Sequence, residues 1–374
     1  MTSSSKVTSL EDTANMAPSG PDFVLIGGTG DVGHRLTRLL LEHTNSSITI
    51  VSRSGNKDTN QNSARVTYTA LDVKGPNVAD ALPHKAVVIN LTEATPPEFA
   101  AQIVQRGGSF LDSSATPDYV SSLAQAIGAA DGTGTGVLCV GTAPGLSTLM
   151  AADLAATNGV VGMEIGLELG MGRHYGPAAT EWFFRALGEA YAVRNNDRIE
   201  TVRPGQVHRR FVFGQHEPAR QALGIGFPGQ GIFGSSLPSQ GQAVQTFLAV
   251  DPPYVTRSLG MLLGLGLGPW MAQRARGLTR LMMRLPGLGA SRTRIVAAAQ
   301  MANEQPSSSH HFTGGDQAEL TAAMLLITAS SIDGTLSGKN GLTTISDHLT
   351  LGKALAQLHV ILPDMEIKFW TTST

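Results

Sequence analysis

Three glycines, Gly28, Gly30 and Gly33, are spaced G-x-G-x-x-G within Gly27-Gly28-Thr29-Gly30-Asp31-Val32-Gly33. That spacing lets a backbone turn sharply, approach a pyrophosphate closely and leave its charge on a helix N-terminus. About 20 residues on, where an acid would hold a ribose 2′-hydroxyl, stand Ser52, Arg53 and Ser54. A guanidinium with two hydroxyls suits a 2′-phosphate, because arginine is always charged and forks onto phosphate oxygens. The competing reading of Arg53 is a solvated loop arginine. The pattern predicts NADPH in preference to NADH. Further along, His174 and Tyr175 occupy the turn Gly172–Pro177, with Glu181 and Arg185 behind them. His174 titrates near neutral pH and Tyr175 can relay a proton, so these two and Glu181 are the catalytic candidates. A His-Tyr turn that only caps the next helix is the alternative.

In a chain with 43 glycines the motif alone is weak; its flanks give it weight. Phe23 to Ile26 reads as a buried strand, a helix begins at Asp31 with Leu36, Leu39 and Leu40 on one face, and Ser47 to Val51 is a second strand. Arg65 to Leu71 is a third strand, ending in Asp72-Val73, which either border an adenine or cap a turn. Val87 to Ile89 runs into Asn90-Leu91-Thr92, and Ser109 to Asp112 into Ser113-Ser114. Val137 to Val140 is the sixth strand and runs into Gly141-Thr142-Ala143-Pro144-Gly145. Helices are expected from Pro97 to Arg106 and from Tyr119 to Ala129. Ligands of open parallel sheets bind outside the carboxyl ends of the strands, so Asn90 to Thr92 should border a nicotinamide ribose. The expected fold is α/β, a Rossmann-type doubly wound parallel sheet over residues 21–150 with a second α+β substrate domain over 151–340.

In that second region Glu164 to Leu169 alternates as a sheet with one solvated face would. Pro177 is placed to open a helix running to about Val193. Strands at Arg198 to Val202 and His208 to Phe213 suggest an antiparallel sheet, Pro218 to Gln242 reads as a long loop over the cleft, and Ala243 to Val250 is another strand. Ser258 to Leu288 is rich in Leu, Gly and Met and sets Arg276, Arg280 and Arg284 four apart on one helix face. A solvated stripe, a membrane-surface contact, a dimer contact and a lid over an apolar substrate all fit it. His310 to Gly315 reads as a strand, Gln317 to Ser331 as a helix, Gly341 to Thr344 as a turn, Leu349 to Leu358 as a helix and Ile367 to Trp370 as a last strand. Residues 1–20 read as a disordered leader, and 341–374 as a segment returning to the first domain.

The 374 residues leave room for two or three domains. A net charge of −2 gives no electrostatic reason to expect nucleic acid. The single cysteine, Cys139, forbids an intrachain disulfide, favours a reducing compartment and reads as a buried strand residue. Met1 to Gly20 has no apolar core of a secretory signal, and no run is apolar enough to span a membrane, so the cytoplasm is the expected location. No P-loop is present, Ser147 is not in G-x-S-x-G, and His310-His311 lacks partners at metal-ligand spacing, so no metal is expected. None of Tyr68, Tyr119, Tyr175, Tyr191 or Tyr254 is followed by lysine four residues on, which disfavours short-chain dehydrogenase chemistry.

With these pieces placed, the chain resembles the saccharopine dehydrogenase-like reductases. The resemblance rests on GGTGDVG at Gly27 to Gly33, VVINLT at Val87 to Thr92, SFLDSS at Ser109 to Ser114, VGTAPGLSTLMAADLA at Val140 to Ala155, and GLTTISDHLTLGKALAQLHV at Gly341 to Val360. It implies a Rossmann domain, an inserted α+β domain and NAD(P)-linked chemistry on C=N bonds. Asn90 to Thr92, Asp112 to Ser114 and Thr142 to Gly145 are then expected to line the nicotinamide pocket. Thr344-Ile345 replaces the family's Pro-Glu, and no arginine cluster for two substrate carboxylates is obvious. A secondary-metabolic imine reductase on a less charged small molecule, acting as a homodimer, is the expectation. Trans-acting enoyl reduction, a redox-neutral cyclase or isomerase, and a non-catalytic NADP(H)-binding protein are the alternatives.

Overall fold

Short aliphatic runs build the first sheet. In the computed structural model, which describes residues 20–55, 63–157, 159–172, 175–195, 198–228, 243–302, 308–333 and 340–373, strands β1 (Phe23–Ile26), β2 (Ile48–Ser52), β3 (Val66–Ala70), β4 (Val87–Asn90), β5 (Ser109–Asp112) and β6 (Thr135–Val137) alternate with helices. The helices are α1 (Asp31–His43), α2 (Pro97–Gln105) and α3 (Pro117–Gly128). The strands run parallel in the order β3-β2-β1-β4-β5-β6, so the winding reverses between β1 and β4. Both faces are covered, which is why β1 and β4 read as unbroken apolar runs. The expected sixth strand is displaced toward its N-terminus. Cys139 takes a left-handed φ of 61°, which breaks the extended run after Val137 and leaves the thiol buried beyond the strand.

Next come α4 (Ser147–Ala155), β7 (Val160–Met171), α5 (Pro177–Ala186), β8 (Tyr191–Asn195), β9 (Arg198–Val202), β10 (His208–Phe211), β11 (Arg220–Ile225) and β12 (Ala243–Asp251). Helices α6 (Pro253–Gly264), α7 (Gly268–Gln273) and α8 (Ala275–Met282) follow. The chain closes with β13 (Leu288–Met301), β14 (Ser308–Gly314), α9 (Gln317–Asp333), β15 (Gly341–Thr343), α10 (Ile345–His348), α11 (Leu351–Ile361) and β16 (Lys368–Ser373). A second seven-stranded sheet has the order β10-β11-β12-β7-β13-β14-β16. It is mixed, since β12 and β7 pair in parallel and the other neighbours are antiparallel.

Several expectations shift. The helix from Pro177 ends at Ala186, because Gly188 lies against Gly268 and Ala272 of α7, and a β8–β9 hairpin follows. Arg220–Ile225 is a strand within the stretch expected to be a loop, and residues 229–242 lie outside the described residues, as does the 1–19 part of the leader. Ser258 to Leu288 is three helices, so Arg276 and Arg280 lie on α8 while Arg284 lies just beyond it. Gly341–Thr343 is a strand, pairing in parallel with β6 at the edge of the first sheet. The last strand, β16, joins the second sheet beside β14.

Helix α9 joins the two layers. Leu320, Met324, Leu325 and Ile327 are all buried, as suits a helix apolar on every side. They share one core with Leu36 and Leu40 of α1 and with Ile295 and Phe312 of the second sheet. The N-terminal end of α9 is ion-paired to α1. Arg35 Nη1 lies 2.5 Å from Glu319 Oε2 and Nη2 3.5 Å from Asp316 Oδ1, while Arg38 also meets Glu319.

The other face of the second sheet was expected to be solvated. Instead Phe211 packs on Gly166, where a Cβ would lie 2.7 Å from its ring, and Glu168 is only 1% exposed. Arg294, 3% exposed, lies 3.2 Å from Glu168 and donates to both oxygens of Glu217 at 2.8 Å. Arg220 reaches Glu168 at 2.9 Å and Asp251 at 3.0 Å. Burial pushes the Glu168 carboxyl up, against the pull of Arg294 and Arg220. Arg294→Ala removes the buried arginine that Glu168 and Glu217 share, leaving both to Arg220 alone, and is expected to cost about 3 kcal/mol in urea unfolding. A loss below about 1 kcal/mol would show the network to be ornamental.

Candidate functional site

The glycine turn sits where the first sheet reverses, between the carboxyl ends of β1 and β4. Gly30 is the N-cap of α1 and offers no side chain to its amides. Among the described residues no acceptor reaches the amides of Asp31, Val32 or Gly33, as expected for a helix end awaiting an anion. Thr29 and Gly30 are exposed, while Gly28 and Gly33 are buried. A Cβ on Gly33 would stand 2.3 Å from the Gly28 carbonyl oxygen, so this glycine is what lets α1 lie so close to the turn. At Gly30 the nearest atom to such a Cβ is the Gly27 carbonyl oxygen at 3.4 Å, so the space over the turn is open.

Ser52 closes β2 and its Oγ accepts from the Gly55 amide at 3.1 Å, which sets the bend that presents Arg53 and Ser54. Both are exposed, and Arg53 has no carboxylate partner among the described residues. Asp72 is exposed and accepts from the Lys74 amide at 3.1 Å, capping its own turn, while Val73 packs into the core beneath. The residues present therefore fit a dinucleotide with a charged 2′ substituent: open amides for the pyrophosphate and an unpaired guanidinium at the end of β2.

The carboxyl ends of β4 and β5 carry a closed polar cluster. Asn90 and Asp112 are both fully buried. Asn90 Nδ2 donates to Asp112 Oδ2 at 2.6 Å and to Tyr119 Oη at 3.1 Å, and its Oδ1 accepts from Thr95 at 2.7 Å. Asp112 also accepts from the Ser114 amide at 2.9 Å and the Ser114 hydroxyl at 3.0 Å. Asn90 and Asp112 thus spend their polar atoms within this cluster. The rim they hold up is Leu91, Thr92 and Ser113, all half-buried. Sequence reasoning missed Thr95 and Tyr119, since neither lies in a motif and only the fold brings them to Asn90.

Burial pushes the Asp112 carboxyl up to about 7, overcoming the donors from Ser114 and Asn90. A carboxyl whose folded pKa exceeds its unfolded value binds more protons in the native state between the two. Stability from this group is therefore greatest below pH 4 and declines as pH rises to about 7, by up to about 4 kcal/mol. Asp112→Asn is expected to flatten that slope in unfolding measured from pH 4 to pH 8; an unchanged slope places its origin elsewhere.

Thr142, Pro144 and Gly145, expected to line the nicotinamide pocket, are buried. Thr142 Oγ1 donates to the Gln317 carbonyl at 3.2 Å and meets Thr321 at 3.0 Å, and the Gly145 amide donates to Thr148 at 3.1 Å. This turn ties α4 to α9, and the half-buried Ala143 is its accessible member.

The turn after β7 comes back over the start of α1: a Cβ on Gly176 would lie 3.6 Å from Asp31 Cβ. His174 lies outside the described residues. Tyr175 Oη donates to the Gly170 carbonyl at 2.7 Å, and burial, followed by the charge of Asp316, pushes its phenol above the usual range. That hydrogen bond ties the Tyr175 side chain back to the end of β7. Glu181 is held below the usual carboxylate range by Arg185 at 2.6 Å, with Arg276 of α8 at 3.4 Å. It braces α5 against α8, a structural place rather than the acid expected from sequence. Of the three catalytic candidates, Tyr175 and Glu181 are engaged in hydrogen bonds within the protein and His174 lies outside the described residues.

No protein-family model matches this chain, and no curated protein matches it in sequence. Among solved structures, saccharopine dehydrogenase (L-Glu forming) from Saccharomyces cerevisiae aligns over 94% of this chain and 100% of its own at 14% identity, with a TM-score of 0.59. A C. glutamicum DAP dehydrogenase in complex with DAP aligns over 91% and 98% at 13% identity, TM-score 0.46. An engineered D-amino acid dehydrogenase bound to NADP+ aligns over 91% and 99% at 12% identity, TM-score 0.47. The chain has the fold of saccharopine dehydrogenase, a Rossmann-type parallel sheet followed by a second, mixed sheet with its helices.

Proposed function

We propose that this protein is an NADPH-dependent oxidoreductase that reduces a C=N bond of a small, weakly charged, secondary-metabolic substrate. The observation that carries the reading is the set of unpartnered amides at the start of α1, lying where the sheet reverses. Arg53, exposed beside Ser54 just after β2 and with no acid beside it among the described residues, supports the phosphorylated coenzyme. The resemblance to saccharopine dehydrogenase-like reductases supports an imine as acceptor. When bound, reduced nicotinamide supplies the hydride. Gly28 to Gly33 would hold the pyrophosphate, Ser52 to Ser54 the 2′-phosphate, Asp72 and Val73 the adenine side, and Leu91, Thr92 and Ser113 the rim. Asn90 and Asp112 keep that rim in place from beneath. His174, which lies outside the described residues, is the proposed proton source.

The test is NADPH consumption, followed by absorbance, with a panel of cyclic imines and of enoyl thioesters. Oxidation with imines, lowered by about a hundredfold or more in His174→Ala at unchanged NADPH affinity, is the expected result. Consumption with thioesters alone would move the acceptor to C=C. Tight binding with flat absorbance would make the chain a coenzyme-binding protein instead.

A further inference from the structure

Helices α6 to α8 form a layer whose outer side is left uncovered by the described residues. Between Pro252 and Leu285 there are five arginines and no lysine or acid, in a chain whose net charge is −2. The layer is well seated on its inner side. Thr256 Oγ1 bonds the Val250 backbone, Gly260 lies on Leu223, and Leu263 packs against Gly205 and Gly268. Outward the same helix shows Arg257, Met261 and Leu265, four apart and therefore in one stripe. Met261 is 71% exposed, Leu265 72% and Trp270 51%, with Leu262 and Leu267 beside them at the α6–α7 turn. Helix α8 and the residues just after it repeat the arrangement: Ala275 and Thr279 are buried, while Arg276, Arg280 and Leu281 on the helix and Arg284 and Leu285 beyond it are exposed.

Large apolar side chains gathered at an exposed turn mark a contact surface. Charge decides what it contacts. A symmetric contact between two copies through this face would oppose arginines to arginines. We propose that the α6–α8 face docks on an anionic lipid surface, with Met261, Leu265 and Trp270 entering the interface and Arg257, Arg280 and Arg284 meeting lipid phosphates or carboxylates. The same layer packs on residues 187–188, the turn that follows α5. The inference does not rest on the reductase reading.

The experiment is co-flotation of the full-length protein with phosphatidylcholine vesicles and with vesicles containing about one-third phosphatidylserine. Binding to the anionic vesicles and little to the neutral ones is expected, falling as salt is raised. Met261→Glu with Leu265→Glu should weaken it by more than about tenfold. Arg280→Gln with Arg284→Gln should weaken it by about twentyfold. All four sites are exposed, so thermal unfolding should be unchanged. Equal binding to both vesicles, binding to neither, or indifference to both double variants would overturn the proposal. So would sedimentation showing that Leu265→Glu turns a wild-type dimer into monomers, which assigns the face to a second copy.

Discussion

Arg53→Asp is expected to lower NADPH affinity by about a hundredfold and to leave NADH bound as well or better. The exposed guanidinium at the end of β2 is the one cation on the Ser52 to Ser54 bend, and among the described residues it carries no ion pair that its loss would break. Folding should therefore be unaffected, with thermal unfolding within about 0.5 kcal/mol of wild type. An aspartate there restores the acid that holds a ribose 2′-hydroxyl and repels a 2′-phosphate. Fluorescence titration of both coenzymes reads the result directly. Unchanged NADPH affinity in Arg53→Asp would leave that residue as a solvated loop arginine.

The second large effect separates folding from binding within one motif. Gly33→Ala places a Cβ 2.3 Å from the Gly28 carbonyl oxygen, a backbone atom that cannot rotate away. Helix α1 must lift off the turn, and a loss of about 2–3 kcal/mol is expected despite alanine's better helix propensity. Gly30→Ala adds its Cβ at 3.4 Å from the Gly27 carbonyl oxygen, an ordinary contact, at a φ of −82° that alanine tolerates. That protein should fold normally and bind coenzyme at least about tenfold more weakly, because the methyl occupies the approach of the pyrophosphate. Denaturant unfolding with coenzyme titration of both variants tests the pair. Equal behaviour of the two would refute the division of labour.

Much of the first sheet was legible because its strands are buried on both faces and its turns are marked by glycine. Ser109–Asp112 and Phe23–Ile26 were read to the residue for that reason. The sixth strand slipped because nothing in Val137 to Val140 announces the left-handed Cys139. Glu168 was misread because alternation reports polarity and not exposure; its cover comes from Phe211 and Arg294, on strands distant in sequence. The same limit hid the roles of Tyr175 and Glu181. A tyrosine in a turn and a glutamate on the next helix look like chemistry until Gly170 and Arg185 are seen to hold them. Arg53 stood out by contrast, because what mattered there was the absence of an acid at a fixed distance from the glycines.

The central claim is that the turn at Gly28 to Gly33 and the guanidinium of Arg53 together hold a 2′-phosphorylated dinucleotide. Isothermal titration of the full-length protein with NADPH and with NADH tests it most directly. The account predicts one NADPH per chain, with NADH weaker by at least about tenfold. Saturable heat with neither coenzyme, or equal affinity for both, would contradict it.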